Sequence, residues 1–295
     1  MVSIIMPTYN RSESIVMRAV QSVLCQTYTD WELYVVDDNK DDNPYSELIE
    51  KALTGLNDAR VHYLKMEKNS GACAARNEGI AKSKGEYIAL LDDDDEWLPK
   101  RLEKQLPFLK EQKIGFSYSG MLVYNETTGV KKSSGIKFKN GNVYHQLLKT
   151  NFMGGCSNFI IKREALEECG GFLKQMPAAQ DYELWIRLSQ KYHVSSVAED
   201  LVIFHIHTED SIMKSLDRRI KGYRRILELY YDDIIKDKDV HSFQLYNLGK
   251  FLILNHENKE GFSLLKDAIK LKPYKAIYYI AVITYWKICY LMSGK

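Results

Sequence analysis

Residues 92–95 of this chain are four consecutive aspartates, set in the stretch "EYIALLDDDDEWLPKRLEKQL". Adjacent carboxylates repel one another, and burying one without a partner is costly. Such a run is either a solvated acidic turn or a site held together by a cation. Carboxylate oxygens suit hard cations such as Mg2+ or Mn2+, which leave coordination positions open for phosphate oxygens. A cation bridged by Asp92 and Asp94 would relieve the repulsion and neutralise a departing diphosphate. An EF-hand calcium loop is set aside, because its sixth position needs glycine and Trp97 stands there. A dinucleotide site is disfavoured too, since "PTYNR" rather than a glycine fingerprint follows the first apolar run. A phosphotransferase or phosphatase would need an aspartyl nucleophile with a following Thr or Val motif, which "DDDDEW" lacks.

The elements that must position these acids are read from hydrophobic periodicity. "VSIIM" is an apolar run of strand length, and "SESIVMRAVQSVLCQ" sets Ile15, Ala19, Val23 and Leu24 on one helical face. "ELYVVDD" reads as a buried strand ending in acids, followed by a helix around residues 45–53 and the strand "RVHYLKM". "SGACAARNEGIAKSKG" makes a small-residue helix stopped by Gly85, and "EYIALLDDDD" closes the series. Strand–helix alternation with apolar strands predicts an α/β fold, a mostly parallel central sheet with helices on both faces. Ligands of such sheets bind beyond the carboxyl ends of the strands. Two acidic clusters, "DDNKDDN" and "DDDDEW", are therefore expected to meet on one sheet edge.

The chain has 295 residues and a net charge of +2 from 41 basic and 39 acidic side chains, so nothing pulls it globally towards nucleic acid. Its five cysteines are scattered, with no C-x-x-C pair, which fits neither a zinc site nor a disulfide framework and points to a reducing compartment. The opening residues lack a basic leader region and read as a first strand. No uncharged apolar run is long enough for a confident membrane span. Beyond residue 112 the pattern turns irregular, and the last ninety or so residues read as helical. Leu245, Leu248, Gly249, Leu252, Gly261, Leu265, Ala268 and Pro273 fall at the spacings of one tetratricopeptide-like helix pair, which an ordinary amphipathic hairpin would also show. A further helix is expected from Ala276.

Taken together, "VSIIMPTYNR", "VVDDN", "NSGACAARNEGI", "LDDDDEWLPKRL" and "GGFLKQMPAAQDYELWIRL" resemble glycosyltransferase family 2, the inverting nucleotide-sugar transferases of GT-A fold. The likeness covers residues 2–210. It implies a transferase domain over 1–210 and a helical extension over 211–295, and a donor that is a nucleotide-sugar, UDP-linked by family expectation. Carried over by position, Pro7, Thr8 and Tyr9 line the base and ribose, and Arg11 belongs to the same nucleotide-sugar set. Asp38, or failing that Asp37, bonds the base, and Arg76 contacts the nucleotide. Asp92 to Asp94 form the D-x-D element, with Asp93 near the ribose and Asp94 and Asp92 at a Mn2+ or Mg2+ ion. His207 matches a histidine facing the metal or diphosphate, while His205 stands where arginine is common. Asp181 in "QDYELW" matches the catalytic base, although Gln180 replaces a glutamate that often precedes it.

Physical reasoning accommodates Asp181. Leu184, Trp185 and Leu188 predict a buried stripe that leaves Asp181 in an exposed first helical turn, where the dipole favours the ionised carboxylate a base requires. The same position also suits a helix cap. The resemblance implies transfer of one sugar at a time to a hydroxyl of a glycan or lipid-linked acceptor in surface-polysaccharide synthesis, since the Q-x-x-R-W signature of processive synthases is absent. The rival reading is a binding or scaffold protein on a degenerate transferase fold.

The tail carries its own expectation. From Lys259 to Lys295 there are seven lysines against two acids, and "AIYYIAVITYWKICYLM" adds aromatics to aliphatics. That composition suits an interfacial helix on an anionic bilayer, which would place a cytoplasmic enzyme peripherally on the inner face of the plasma membrane. The basic helix "RRIKGYRR" (218–225) is expected either to join that face or to be solvated. An arm for protein contacts or homodimer formation is the competing account of the tail.

Overall fold

The computed structural model describes residues 1–40, 42–206 and 216–292, with side chains described through Trp286. The chain folds into a sheet unit (1–143, 152–174 and 184–208) and a helical unit (144–151, 175–183 and 209–295). The division is therefore not a single cut near residue 210: two short segments from the middle of the chain belong with the tail.

In the sheet unit, β1 (Val2–Thr8), α1 (Glu13–Leu24), β2 (Trp31–Asp37), α2 (Pro44–Gly55), β3 (Val61–Lys65), α3 (Ala72–Lys82) and β4 (Tyr87–Leu90) alternate as the periodicity predicts. After the short β5 (Glu96–Trp97) and α4 (Arg101–Gln105) come the long β6 (Ile114–Asn125) and β7 (Lys131–Ser133). The strand order is β3-β2-β1-β4 on one side, all parallel. Parallel pairing of β1 with β2 and β4 puts the loops after all three strands on one edge, which is why "PTYNR", "DDNKDDN" and "DDDDEW" converge. Every residue of β1 is buried, as a strand covered on both faces requires.

Beyond β4 the sheet becomes mixed. With α5 (Tyr144–Lys149) counted in the helical unit, the sheet continues through β8 (Phe159–Lys162), α6 (Arg163–Cys169), α7 (Gln180–Lys191) and β9 (His193–Ile206). β8 runs antiparallel to β4 and β6, and β9 runs parallel to β6 and pairs antiparallel with β5.

Two helical faces differ from expectation. The buried stripe of α1 is Val16, Ala19, Val20 and Val23, rotated from the predicted face so that Ile15 and Leu24 are only half-buried. Helix α7 buries Leu184, Trp185, Ile186 and Leu188 together, so it is enclosed nearly all round rather than on one stripe. Trp185 stacks on Phe159 of β8 with ring centroids 3.6 Å apart. Four of the cysteines, Cys25, Cys73, Cys156 and Cys169, are free thiols.

The helical unit contains α5, the first turn of α7, and α8 (Leu216–Leu229), α9 (Tyr231–Ile234), α10 (Lys238–Leu254), α11 (Asn258–Leu271) and α12 (Ala276–Met292). Tyr246, Ile253, Leu265, Ala268, Tyr279 and Ile283 form its main core cluster. Helices α10 and α11 approach closely because Gly249 and Gly261 face one another: a Cβ on Gly249 would lie 2.9 Å from the Gly261 carbonyl oxygen. Asp237 caps α10 by accepting the N–H groups of Asp239 and Val240.

Candidate active site

The aspartate run is the tight connection between β4 and β5, closed by a hydrogen bond from the Asp95 N–H to the Asp92 carbonyl at 3.1 Å. Every carboxylate in it has a protein partner. Arg76 donates from Nη2 to Asp92 Oδ1 at 2.5 Å. Arg11 spans two acids, with Nε 3.2 Å from Asp93 Oδ1 and Nη2 2.7 Å from Asp94 Oδ2. Asp95 is buried and accepts from the Ser157 hydroxyl. The clustered charge is thus balanced by two guanidiniums, Arg11 from the loop after β1 and Arg76 from α3, and by a hydroxyl.

Environment separates the four acids. Burial pushes the Asp93 carboxyl up to about 6, against the pull of Arg11 and the Thr8 hydroxyl and with a further push from Asp94 and Asp92. Asp95 is raised well above the usual carboxylate range by burial and then by the charges of Asp92 and Asp94. Asp92 and Asp94 are the more accessible pair, with side chains 34% and 22% exposed. These are the donors a hard cation would meet, so the chemistry of the pair fits Mg2+ or Mn2+. Among the described residues no group of three or more His, Cys, Asp or Glu side chains is arranged to hold a metal ion. His207, expected at the metal, lies outside the described residues.

The loop after β1 is shaped by Asn10, which takes φ of 51° and whose N–H donates to Asn39 Oδ1 at 2.5 Å. Asparagine tolerates this left-handed turn better than most residues, and the turn sends Arg11 back to the aspartate run. Pro7 and Thr8 are buried at the end of β1, whereas Tyr9 is 55% exposed. Among the described residues Asn39 Nδ2 is buried without a hydrogen-bond partner, which is where a polar ligand would be accommodated.

Asp37 and Asp38 both do structural work. Asp37 accepts from the Tyr63 hydroxyl at 2.6 Å, the Asn39 N–H at 2.8 Å and Lys65 at 3.3 Å. Asp38 accepts the N–H groups of Ser70 and Gly71, each at 2.7 Å, and Asn69 Nδ2 at 3.2 Å. Gly71 sits at φ of 86°, a conformation that favours glycine and lets the chain present both N–H groups before α3 begins. The second acidic cluster therefore fixes the entrance to the helix that carries Arg76.

Three residues missed by sequence reasoning complete this arrangement. Ser157 takes the Asp92 N–H at 3.0 Å, donates to Asp95, and receives Trp97 Nε1 on its carbonyl at 2.9 Å. Asn77 exchanges two hydrogen bonds with the backbone of Phe172, at 2.8 and 2.9 Å, and the Phe172 ring lies 5.4 Å from the Arg76 guanidinium. Asn69 ties its loop to the Asp38 carbonyl at 2.7 Å. His205 is buried between Glu126 and Glu96, 2.7 Å from each, and the Glu126 carboxylate also meets Arg18 at 2.7 Å. It belongs to a network in the β6–β9 part of the sheet unit.

Asp181 is in the helical unit, in the first turn of α7 and half-buried. It lines a cleft of ≈ 380 Å³ together with Ala179, Arg218, Arg219, Tyr223 and Phe251. Gly222 of α8 permits the close packing beside this cleft: a Cβ there would come 2.7 Å from the Ala178 carbonyl oxygen, so only glycine lets α8 lie against the 177–179 segment.

The family model described as "Glycosyl transferase family 2" matches residues 3–170. The chain is 33% identical over 252 residues to WcaA of Escherichia coli (strain K12), a glycosyl transferase named for colanic acid biosynthesis, covering 84% of this chain and 87% of that one. It is 33% identical over 197 residues to WfgD of Escherichia coli, named as a UDP-Glc:alpha-D-GlcNAc-diphosphoundecaprenol beta-1,3-glucosyltransferase, covering 67% of this chain and 73% of that one. The fold is similar to the crystal structure of S. aureus TarS 1-349 in complex with UDP-GlcNAc, with a TM-score of 0.66 at 18% identity, over 93% of this chain and 82% of that one.

Proposed function

The chain belongs to glycosyl transferase family 2, and on that premise we propose that it moves a single sugar, with inversion, from a UDP-sugar to a hydroxyl of a glycan or lipid-linked acceptor in surface-polysaccharide synthesis. The observation that carries this reading is the convergence of the β1, β2 and β4 loops on the aspartate run, with Arg11 reaching Asp93 and Asp94. The names of the relatives support the donor and acceptor classes: WfgD is named for a UDP-glucose donor and a lipid-diphosphate acceptor.

In this reading Tyr9, with Pro7 and Thr8, borders the nucleotide, and Arg76 orients Asp92 through their ion pair. Asp94 and Asp92 would hold Mn2+ or Mg2+, which supplies positive charge to the departing diphosphate. An acceptor hydroxyl attacks the anomeric carbon, the bond from that carbon to the diphosphate oxygen breaks, and Asp181 takes the hydroxyl proton. One displacement inverts the anomeric centre. Arg11 neutralises the acids before the donor arrives, and its guanidinium is the group of this loop best suited to the donor's phosphates.

We place the enzyme peripherally on an anionic membrane surface. Among the described residues no helix is long and apolar enough to cross a membrane. What supports the surface reading is α12, whose Tyr279 and Ile283 are buried while Ile277, Tyr278, Ile280 and Tyr285 on the other face are exposed. A thermal-shift screen of nucleotide-sugars with and without Mn2+ tests the function: a UDP-sugar should raise the melting temperature in a cation-dependent way. Stabilisation by no nucleotide-sugar under either condition would count for the scaffold reading.

A further inference from the structure

The cleft that holds Asp181 carries more positive charge than its own acids balance. Arg218 and Arg219 line it, both exposed, and among the described residues neither meets a carboxylate. Their neighbours on the same helix behave otherwise. Arg224 makes a bidentate pair with Glu260 at 2.7 and 2.8 Å, and Arg225 pairs with Glu228 at 3.0 Å. The basic helix read in the sequence as one surface is thus two: a paired half, and a half that faces the cleft.

The unpaired half also sits against local electrostatics. Arg218 and Arg219 occupy the first turn of α8, where the helix dipole disfavours cations and favours anions. The first turn of α7, with Gln180 and Asp181, lines the same cleft, and there the Asp181 carboxylate accepts the Tyr182 N–H at 2.8 Å. Lys250 adds a third cation. It is half-buried, donates to Asn247 Oδ1 at 3.2 Å, and lies 4.8 Å from the ring of Phe251, which lines the cleft. Burial and the nearby charge of Arg219 both push the Lys250 ammonium down, and among the described residues none of these three cations pairs with a carboxylate. Gly222 holds the helix in place against Ala178, so this arrangement is built into the backbone.

We propose that this cleft is the acceptor subsite and that Arg218 and Arg219 hold a phosphate or diphosphate of the acceptor there, in the same cleft that presents Asp181. The proposal rests on the transferase reading above and adds the residues that recognise an anionic acceptor: Arg218 and Arg219 grip its phosphate while its hydroxyl meets the base. Tyr223 and Phe251 give the non-charged part of the acceptor an aromatic wall. A diphosphate could also come from the donor nucleotide, so the test separates the two sources.

The probes are n-octyl phosphate, its uncharged counterpart n-octyl glucoside, and UDP, titrated calorimetrically into the full chain. Octyl phosphate should bind the UDP-saturated protein and octyl glucoside should not compete with it. Arg218→Gln with Arg219→Gln should weaken octyl phosphate roughly tenfold or more, while the Lys–Lys double variant keeps most of the affinity. Circular dichroism checks that the exposed substitutions leave the fold intact. UDP affinity that falls as far as octyl phosphate affinity would assign the arginines to the donor and overturn the proposal. Octyl phosphate that ignores the wild-type protein, or binds it and the Gln–Gln variant equally, would overturn it as well. Failure of UDP to bind wild type would instead sink the transferase reading, and the octyl phosphate comparison still reads the cleft without it.

Discussion

Arg76 and Arg11 explain how an aspartate run survives burial: Arg76 supplies a guanidinium to Asp92 and Arg11 one shared by Asp93 and Asp94, so the cluster is folded before any cation arrives. The acids themselves were legible in the sequence because they are contiguous. Their keepers were not: Ser157 is 62 residues from Asp95, and Asn77 is 95 residues from Phe172. Nothing in local pattern announces a serine or asparagine that works at such separation. Two predictions belong here. Asp181→Asn keeps the size and much of the hydrogen bonding of the side chain but cannot take a proton. Transfer should fall on the order of 10²-fold or more with donor affinity kept, read by steady-state kinetics beside a UDP titration. The second concerns Asp37. Burial alone would push its carboxyl up, but hydrogen bonds from Ser46, Tyr63 and the Asn39 N–H, with the Lys65 charge, bring it below the usual range. A lowered folded pKa gives stability that is present above the ordinary carboxylate pKa of about 4 and is lost as pH falls through the folded value. Asp37→Asn should therefore cost about 1–3 kcal/mol at pH 7, and the deficit should shrink below pH ~4. Urea denaturation at both pH values checks it; an equal deficit at both would deny the charge any role.

At the scale of elements, the strand–helix alternation of the first hundred residues was readable because fully buried parallel strands leave continuous apolar runs. The rotation of the α1 face and the near-complete enclosure of α7 were not. Which side of a helix is buried, and whether a second side is too, depends on tertiary neighbours such as Phe159 against Trp185. The mixed half of the sheet was opaque for the same reason, since β8 and β6 pair across a long irregular stretch of chain. In the helical unit the small residues told more: Gly249 and Gly261, picked out by spacing, are where α10 and α11 touch. Gly249→Val should push the two helices apart and cost about 1–3 kcal/mol. Thermal unfolding followed by circular dichroism measures this, and an unchanged melting temperature would mean the close approach does not matter.

At the scale of the whole chain, a near-neutral total charge hides local imbalance. Some of the tail's lysine excess is neutralised internally: Lys270 pairs with Asp267, and Lys275 with Asp239. Lys259 and Lys266 remain exposed, beside a helix whose Ile277 is 84% exposed, with Tyr274 just before it at 74%. Tyr279 and Ile283 belong to the core, so truncating the tail would test folding rather than binding. Changing Ile277, Ile280 and Tyr285 to serine spares that core. The variant should keep its melting temperature and lose sedimentation with anionic liposomes, an attraction that high salt also weakens. Wild-type protein that ignores anionic vesicles at low salt would favour the protein-contact arm.

If the aspartate run is a cation-dependent nucleotide site, calorimetric titration of UDP with and without Mn2+ should reveal it. Wild type should bind UDP far more tightly with Mn2+. Asp94→Ala should lose that cation dependence, and its circular dichroism should match wild type because Asp94 is part-exposed and its partner Arg11 retains Asp93. Unchanged cation-dependent UDP binding by Asp94→Ala would contradict the account and reduce the run to an acidic turn held by arginines.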